Sequence, residues 1–497
     1  METKRRKRTG LLLCLAVLLA MLVFYEKAHP LVILDADDWT YIAQSRVALP
    51  TARLWNPARI LPEILMPYAV SLGVKLLSPL GYIPSITATN GLVLSLFITV
   101  YVYAFYRLLT DRVRLPAGRA ALLSLLFLLL HFTIFRRENA QNTYLFWSKD
   151  VTCIYYYVIP ALLNCSLVMF LARTDLHRRF WEKTELPAKS LLLLACYLAV
   201  FSNLFESGIL ACWCGLELLA ALLRRRRQRL AWRQLWKEQS FSLGLLLLWL
   251  VSAWFESRGA RAAASGSRAF GAALKESFGL ALSAFGGIYA LVLLLMAGAL
   301  GGLLLALLLR RLSEEGKALS RSLLLPLLFL AVLLLLFEAL LCAKVDPAYA
   351  RRSDVLFGCF FVLLALAVLA LALLLKRWER LLLVLPLLLL VLFSVTDTWG
   401  RTFLDCNDIL APAELCTALD QSVVDQVLAA QERGETRVTV KVLDLGGGDN
   451  WPQTLYMGNR VAVSLYKHGV TQRLMEIEIQ PDKSVNARFH AFEDFSP

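Results

Sequence analysis

Three carboxylates stand within four positions in Asp35-Ala36-Asp37-Asp38-Trp39, the segment of this chain best suited to chemistry. Carboxylates that close repel one another, so their cheapest placement is a solvated loop. Held at a membrane surface, they suit two tasks. They offer hard oxygen ligands to a divalent cation such as magnesium or manganese, and one of them can take a proton as a general base. A plainer reading makes the segment a solvated turn that caps the next helix.

The membrane surface is implied by what precedes the acids. An apolar run over 11–24 follows Lys4-Arg5-Arg6-Lys7-Arg8, and a basic flank of that kind stays in the cytosol. The acids therefore emerge on the outer face. No small-residue cleavage site follows the run, where Phe24-Tyr25-Glu26-Lys27 is bulky and charged, so an uncleaved first helix is expected rather than a signal peptide.

Further apolar runs must carry the rest of the site. The chain has 497 residues, of which 58% are hydrophobic and only 18% charged. Spans are expected near 9–25, 86–108, 119–135, 153–172, 189–203, 208–223, 240–256, 284–309, 322–343, 355–376 and 381–396, about eleven in all. The pair at 189–203 and 208–223 is short enough to be re-entrant. With the N-terminus inside, the inner loops would be Arg107–Arg119, Arg173–Lys189, Arg224–Lys237, Arg310–Arg321 and Lys376–Arg380, each rich in Arg or Lys. The net charge of +14 sits largely in these loops, which makes it a topology signal and argues against a nucleic-acid partner. The expected fold class is an all-α polytopic membrane protein with a small extracytoplasmic α/β tail. It divides into a basic N-terminus (1–8), a multi-pass region (9–400, with the first outer loop and its interfacial helix at 26–85) and the tail (401–497).

In the tail, Gln421–Glu432 and Gln453–His468 read as helices, and Arg437–Leu445 and Arg473–Gln480 as strands. Gly446-Gly447-Gly448 lacks the ending of a phosphate loop and reads as a turn. Most of the ten cysteines lie in or beside spans as small apolar residues; only Cys406 and Cys416 sit together in the tail, where a disulfide is chemically open.

The expected outer loops carry more polar groups than passive loops need. The first holds Arg59 and Glu63, the second Phe146-Trp147, Asp150 and Tyr155-Tyr156-Tyr157, the fourth Arg258, Arg261 and Arg268, and the fifth Tyr349, Arg351 and Arg352. Many of the aromatics have a plainer role as interfacial anchors, and the arginines as partners of lipid headgroups. Glu206 and Glu338 stand near span ends, where snorkelling to the interface is expected. Charge gathers at the rim and not along the spans, which favours surface chemistry over a coupled transporter.

The pattern resembles the C-type (GT-C) glycosyltransferases, multi-pass enzymes whose first outer loop carries an acidic motif soon after the first helix, followed by an interfacial helix, as Pro57–Leu77 would be here. It is also similar to a bacterial membrane family of unassigned function with an Asp-Asp-aromatic first loop, through Phe146-Trp147, Tyr155-Tyr156-Tyr157, Pro160 and Pro347-Ala348-Tyr349-Ala350-Arg351-Arg352. The resemblance implies a bacterial cell-membrane enzyme that moves a sugar, with inversion, from a polyprenyl-phosphate donor to an envelope glycan or lipid-linked acceptor. Asp37 or Asp38 would be the base, with Asp35 in support. Arg59, Glu63, Arg258, Arg261, Arg268, Tyr349, Arg351 and Arg352 would bind substrate, and the acids would hold any divalent metal. The rivals are an envelope lipid or glycan transporter, a polysaccharide polymerase and a non-catalytic scaffold.

Overall fold

The computed structural model describes residues 2–33, 35–50, 55–135, 144–148, 150–183, 185–228, 231–259, 269–379, 388, 401–403, 410–446 and 448–489. It is mostly helical. Eight described helices are long and apolar enough to cross a bilayer: α1 (Thr3–Ala28), α4 (Tyr82–Asp111), α6 (Val151–Thr174), α9 (Leu204–Gln228), α10 (Trp232–Glu256), α12 (Ala290–Leu308), α13 (Glu314–Val345) and α14 (Phe357–Arg377). The expected spans at 119–135 and 189–203 are shorter helices, α5 (Ala117–Thr133) and α8 (Leu186–Val200). The expected span at 381–396 lies outside the described residues apart from Leu388. Between these run α2 (Ala36–Tyr41), α3 (Ile60–Leu76), α7 (Leu176–Lys183) and α11 (Phe270–Gly286).

The expected span at 284–309 forms as α12, with its start later than expected. Gly286 and Gly287 end α11, and the chain extends through Ile288 and Tyr289 before α12 starts. The extended piece is pinned across the bundle, where Tyr289 N–H donates to Ile134 O at 2.8 Å. The break between α8 and α9 also has a cause in the sequence. Asn203 Oδ1 accepts Phe205 N–H at 3.1 Å, and its Nδ2 donates to Tyr156 O at 2.8 Å. That carbonyl lies in a π-helical turn of α6 (Ile154–Val158). The wider turn alters the ladder and leaves a carbonyl for a neighbour.

Burial sorts the helices by layer. In α6 and α14, 89% of the most apolar stretch is buried, against 28% in α1, α10 and α12. The first two are therefore the centre, and the last three turn leucines outward, as lipid allows. Close approach at the centre rests on small residues: a side chain on Gly208 of α9 would overlap the Phe337 ring of α13, and one on Gly358 would meet Ile209.

The expected inner loops converge at one end. Arg6 Nη1 donates to Thr110 O (3.3 Å), Arg173 pairs with Asp111 (2.6 Å), Arg112 with Asp175 (3.0 Å), Lys376 with Glu315 (3.3 Å) and Arg119 with Glu379 (2.8 Å). The acidic segment and the loops around Asp150, Asn203, Glu256 and Arg352 gather at the other. α3 runs at that second end, with Met66, Val70 and Gly73 buried and Tyr68, Leu72 and Leu76 exposed.

In the tail, helices and strands form at the four expected places, and a short strand pair and a last short helix are added. They comprise β1 (Arg401–Phe403) antiparallel to β2 (Leu410–Pro412), then α15 (Ala413–Glu432), β3 (Arg437–Val442), α16 (Met457–Lys467), β4 (Glu476–Pro481) and α17 (Lys483–Arg488). β3 and β4 are parallel, with Val438 opposite Ile477 and Val440 opposite Ile479, so α16 serves as their crossover. Cys416 is buried; Cys406 lies outside the described residues.

The Gly208 contact predicts a sharp position dependence. Gly208→Ala should lower the melting temperature in detergent, at a cost of about 1–3 kcal/mol for overpacking. Gly215→Ala, on the same helix with open space around it, should leave melting unchanged or raise it. Equal melting of the two variants would contradict the α9–α13 packing.

Candidate functional site

Two helix starts build the acidic site. Asp35 caps α2, its Oδ1 accepting Asp38 N–H at 2.8 Å, and Asp150 caps α6, its Oδ1 accepting Cys153 N–H at 2.7 Å. Asp38 joins the two: its Oδ1 accepts both the N–H and the Oγ1–H of Thr152, each at 2.8 Å. The carboxylates of Asp35, Asp38 and Asp150 consequently lie within 4.8 Å of one another. Asp35 and Asp38 are buried. The amino end of the long helix α6 gives Asp38 and Asp150 the N–H groups that lack partners within the helix, and its positive dipole end, which offsets some of the clustered charge.

Burial, reinforced by the charges of Asp38 and Asp150, pushes Asp35 well above the usual carboxylate range; the N–H of Asp38 opposes this more weakly. The donor set is all oxygen. Neighbouring ligand oxygens around a magnesium ion, each about 2.1 Å from it, lie about 3.0 Å apart, so the three side chains would draw in by about an ångström to close on a divalent cation. Asp35, Asp38 and Asp150 are the residues that fit one.

This differs from the expected trio. Asp37 turns away and accepts Arg460 Nη1 at 2.7 Å, with about half its side chain exposed (49%). The reason is helical spacing: positions three apart share a face, which unites Asp35 with Asp38 and excludes Asp37. Asp150, more than a hundred residues away in sequence, takes the third place. Its signal in the sequence was an aspartate directly before an apolar helix, the signature of an N-cap.

Arg460 belongs to a second set of contacts that seat α16 on α2. Ser464 Oγ donates to Trp39 O, Lys467 Nζ donates to Ala43 O at 2.9 Å, and His468 lies with Nε2 3.2 Å from Ile42 O and Nδ1 2.8 Å from Tyr82 Oη. The tail thus holds the backbone of the acidic helix, a role the tail sequence did not announce.

The expected substrate residues are partly dispersed. Arg59, in a left-handed conformation (φ 61°), forks onto Glu256 at 3.1 and 3.3 Å. Glu63 receives Arg46 at 2.6 and 2.8 Å. Between these ion pairs stands Tyr156, whose ring packs on Tyr41 of α2 with centroids 4.8 Å apart. Both pairs therefore adjoin the acidic helix. Arg258 is exposed and lies over the Trp254 ring (4.0 Å), and Arg351 is exposed. Tyr349 stacks on Phe205. Arg261 and Arg268 lie outside the described residues. Arg352 reaches the site, with Nη2 3.3 Å from Cys153 Sγ, but its guanidinium already forks onto Asp354 and sits against Tyr144, Tyr157 and Tyr349. It braces the site from behind and is not a free clamp.

A cavity of about 240 Å³ opens at the same end. Arg59 and Lys344 stand at its polar side, and Leu204, Trp249, Phe337 and Leu341 form apolar wall. Glu206 and Glu338 lie deeper in the bundle. Each is almost wholly buried, and both Glu206 oxygens and Glu338 Oε2 lack hydrogen-bond partners among the described residues. Snorkelling is thus corrected: neither reaches the interface. Compared with family models, curated proteins and solved structures, the chain matches none.

His468 makes the seating of the tail pH-dependent. Burial pulls its pKa down from 6.5 to about 4, so the fold favours the neutral ring. The stabilisation is full above about 6.5 and is lost as pH falls toward 4. Limited proteolysis of the purified protein should cut the tail faster as pH drops through that window. In His468→Gln the dependence should flatten; an unchanged profile in the variant would remove His468 from the contact.

Proposed function

We propose that this membrane protein is a glycosyltransferase that moves a sugar from a polyprenyl-phosphate donor to an envelope glycan or lipid-linked acceptor at the outer membrane face. The observation that carries the reading is the Asp35–Asp38–Asp150 cluster at the same end of the bundle as a largely apolar cavity that Lys344 and the Arg59–Glu256 pair also line. An acid site at the same end as an apolar cavity with a cation in its wall suits a substrate that is part lipid, part phosphate and part sugar.

In the proposed reaction, Asp38 or Asp150 takes the proton of the acceptor hydroxyl. The acceptor oxygen bonds to the anomeric carbon from the face opposite the phosphate. The carbon–oxygen bond to phosphate breaks, and the lipid phosphate leaves with the electron pair. Lys344, which lines the cavity, is placed to neutralise its charge, while Arg59 is held by Glu256. A magnesium or manganese ion, if held by the three aspartates, would supply further charge neutralisation. Asp37 sits outside this set and serves the tail contact.

We further propose that the cluster faces outward and the basic loops inward, with an odd span count near eleven and the tail as a small extracytoplasmic α/β unit. The support is the convergence of Arg- and Lys-rich loops at one end, which ordinarily stay in the cytosol. A cytosol-dependent reporter fused after Pro497 should stay silent, while a periplasm-dependent one should report; the reverse would invert the assignment.

A second reading has its own observation. Buried carboxyl groups with oxygens left unpartnered among the described residues, as both of Glu206 and Oε2 of Glu338 are, suit proton-coupled carriers, which favours an envelope lipid or glycan transporter. Replacement separates the two. In proteoliposomes given a polyprenyl-phosphate sugar and acceptor, Asp38→Asn and Asp150→Asn should each lower transfer by about 10²–10⁴-fold if that residue is the base. Glu206→Gln with Glu338→Gln should spare it. Full transfer in both aspartate variants would end the enzyme reading, and substrate flux lost only in the glutamate pair would establish the transporter.

A further inference from the structure

Two cavities adjoin at the basic end of the bundle, away from the acidic cluster. The first, about 410 Å³, is walled by Leu108, Val168, Trp213, Leu330, Phe361 and Ala365, with Arg112, Arg178, Arg224 and Arg321 also lining it. The second, about 420 Å³, is polar and bounded by Arg178, Arg179, Arg224, Gln234, Lys237 and Glu238. Arg178 and Arg224 line both. An apolar chamber thus meets a basic one at two guanidinium groups.

The charges there are not internally balanced. Among the described residues, the five arginines Arg112, Arg178, Arg179, Arg224 and Arg321 line the cavities with three carboxylates, Asp175, Glu217 and Glu238. Arg112 pairs with Asp175 at 3.0 Å and Arg178 with Glu217 at 2.6 Å, while Glu217 also meets His177 Nε2 at 3.2 Å. Arg224 has no acidic partner among the described residues, and its Nη2 is buried without a hydrogen bond; the same holds for Arg178 Nε. A guanidinium N–H withdrawn from water and left unpaired costs about 1–3 kcal/mol or more. Positive-inside topology explains arginines at this end but not their withdrawal from water beside an apolar cavity. An anion supplied from outside the chain would satisfy them.

We propose that the joined cavities bind a membrane lipid with an anionic phosphate headgroup, its phosphate between Arg178 and Arg224 and its hydrocarbon chain in the apolar chamber. Guanidinium groups fork onto phosphate oxygens, and the apolar wall takes the chain. The site stands at the opposite end from the acidic cluster and does not rest on the transferase reading.

The test uses the full chain, delipidated in neutral detergent, with binding followed by native mass spectrometry. Dioctanoyl phosphatidic acid should bind saturably. Dioctanoylglycerol, which lacks the phosphate, and inorganic phosphate, which lacks the chain, should each bind at least about tenfold more weakly, since a charged hydrogen bond or a buried chain is lost. Arg224→Gln should weaken the phosphatidic acid by about tenfold or more. Arg226→Gln, an exposed residue of the same helix turn, should not. Arg321→Gln gives a second reading should Arg224→Gln fail to melt like the wild type. Equal binding of the diacylglycerol, or unchanged affinity in Arg224→Gln and Arg321→Gln, overturns the proposal; inorganic phosphate binding as tightly as the lipid reduces the site to a free-phosphate pocket and overturns its lipid part.

Discussion

The contact on which the acidic end depends is the pair of hydrogen bonds from Thr152 to Asp38. It joins the first loop to the start of α6, the helix that runs buried through the middle of the bundle. Without it, α2 is a six-residue helix with little to hold it, because isolated helices that short are unstable in water. With it, Asp35 and Asp150 are drawn together and Asp35 is forced toward its neutral form. Charge concentration and positional order have one origin.

The tail supplies the second restraint. α16 takes hold of the backbone carbonyls of Trp39, Ile42 and Ala43, which stand at or beyond the carboxyl end of α2, where intrahelical partners run out. Arg460 meanwhile engages Asp37, on the face of α2 away from the cluster. The two restraints act on opposite sides of one short helix. Thr152 fixes the face that carries the acidic cluster, and the tail fixes the end that would otherwise fray. The acids thereby gain a rigid mount at a membrane surface, where a loop alone would leave them mobile.

The two ends of the bundle treat arginine differently. At the acidic end, Arg46, Arg59 and Arg352 are matched by Glu63, Glu256 and Asp354, so their charge is largely committed to architecture. At the basic end, the balance tips toward cations, and Arg224 is left with an unpaired buried N–H. The same residue type braces one surface and leaves buried N–H groups without partners among the described residues on the other. Partner supply, not residue identity, sets the difference.

The sequence alone determined the membrane-spanning class, most of the helix positions, two helices and two strands of the tail, and which loops gather at the basic end. These follow from apolar run length, from period, and from the distribution of Lys and Arg, all local quantities. It also marked the acidic segment, and helical spacing would have separated Asp37 from Asp35 and Asp38. The tertiary structure decided the rest. Asp150 joins the cluster because α6 starts beside α2, and Arg460 meets Asp37 because the tail folds back over 423 residues. Glu206 and Glu338 are sealed inside because α9, α13 and α14 pack closely around small residues. Each of these depends on which helix lies next to which. Hydropathy cannot report that, because a leucine facing lipid and a leucine facing protein read the same.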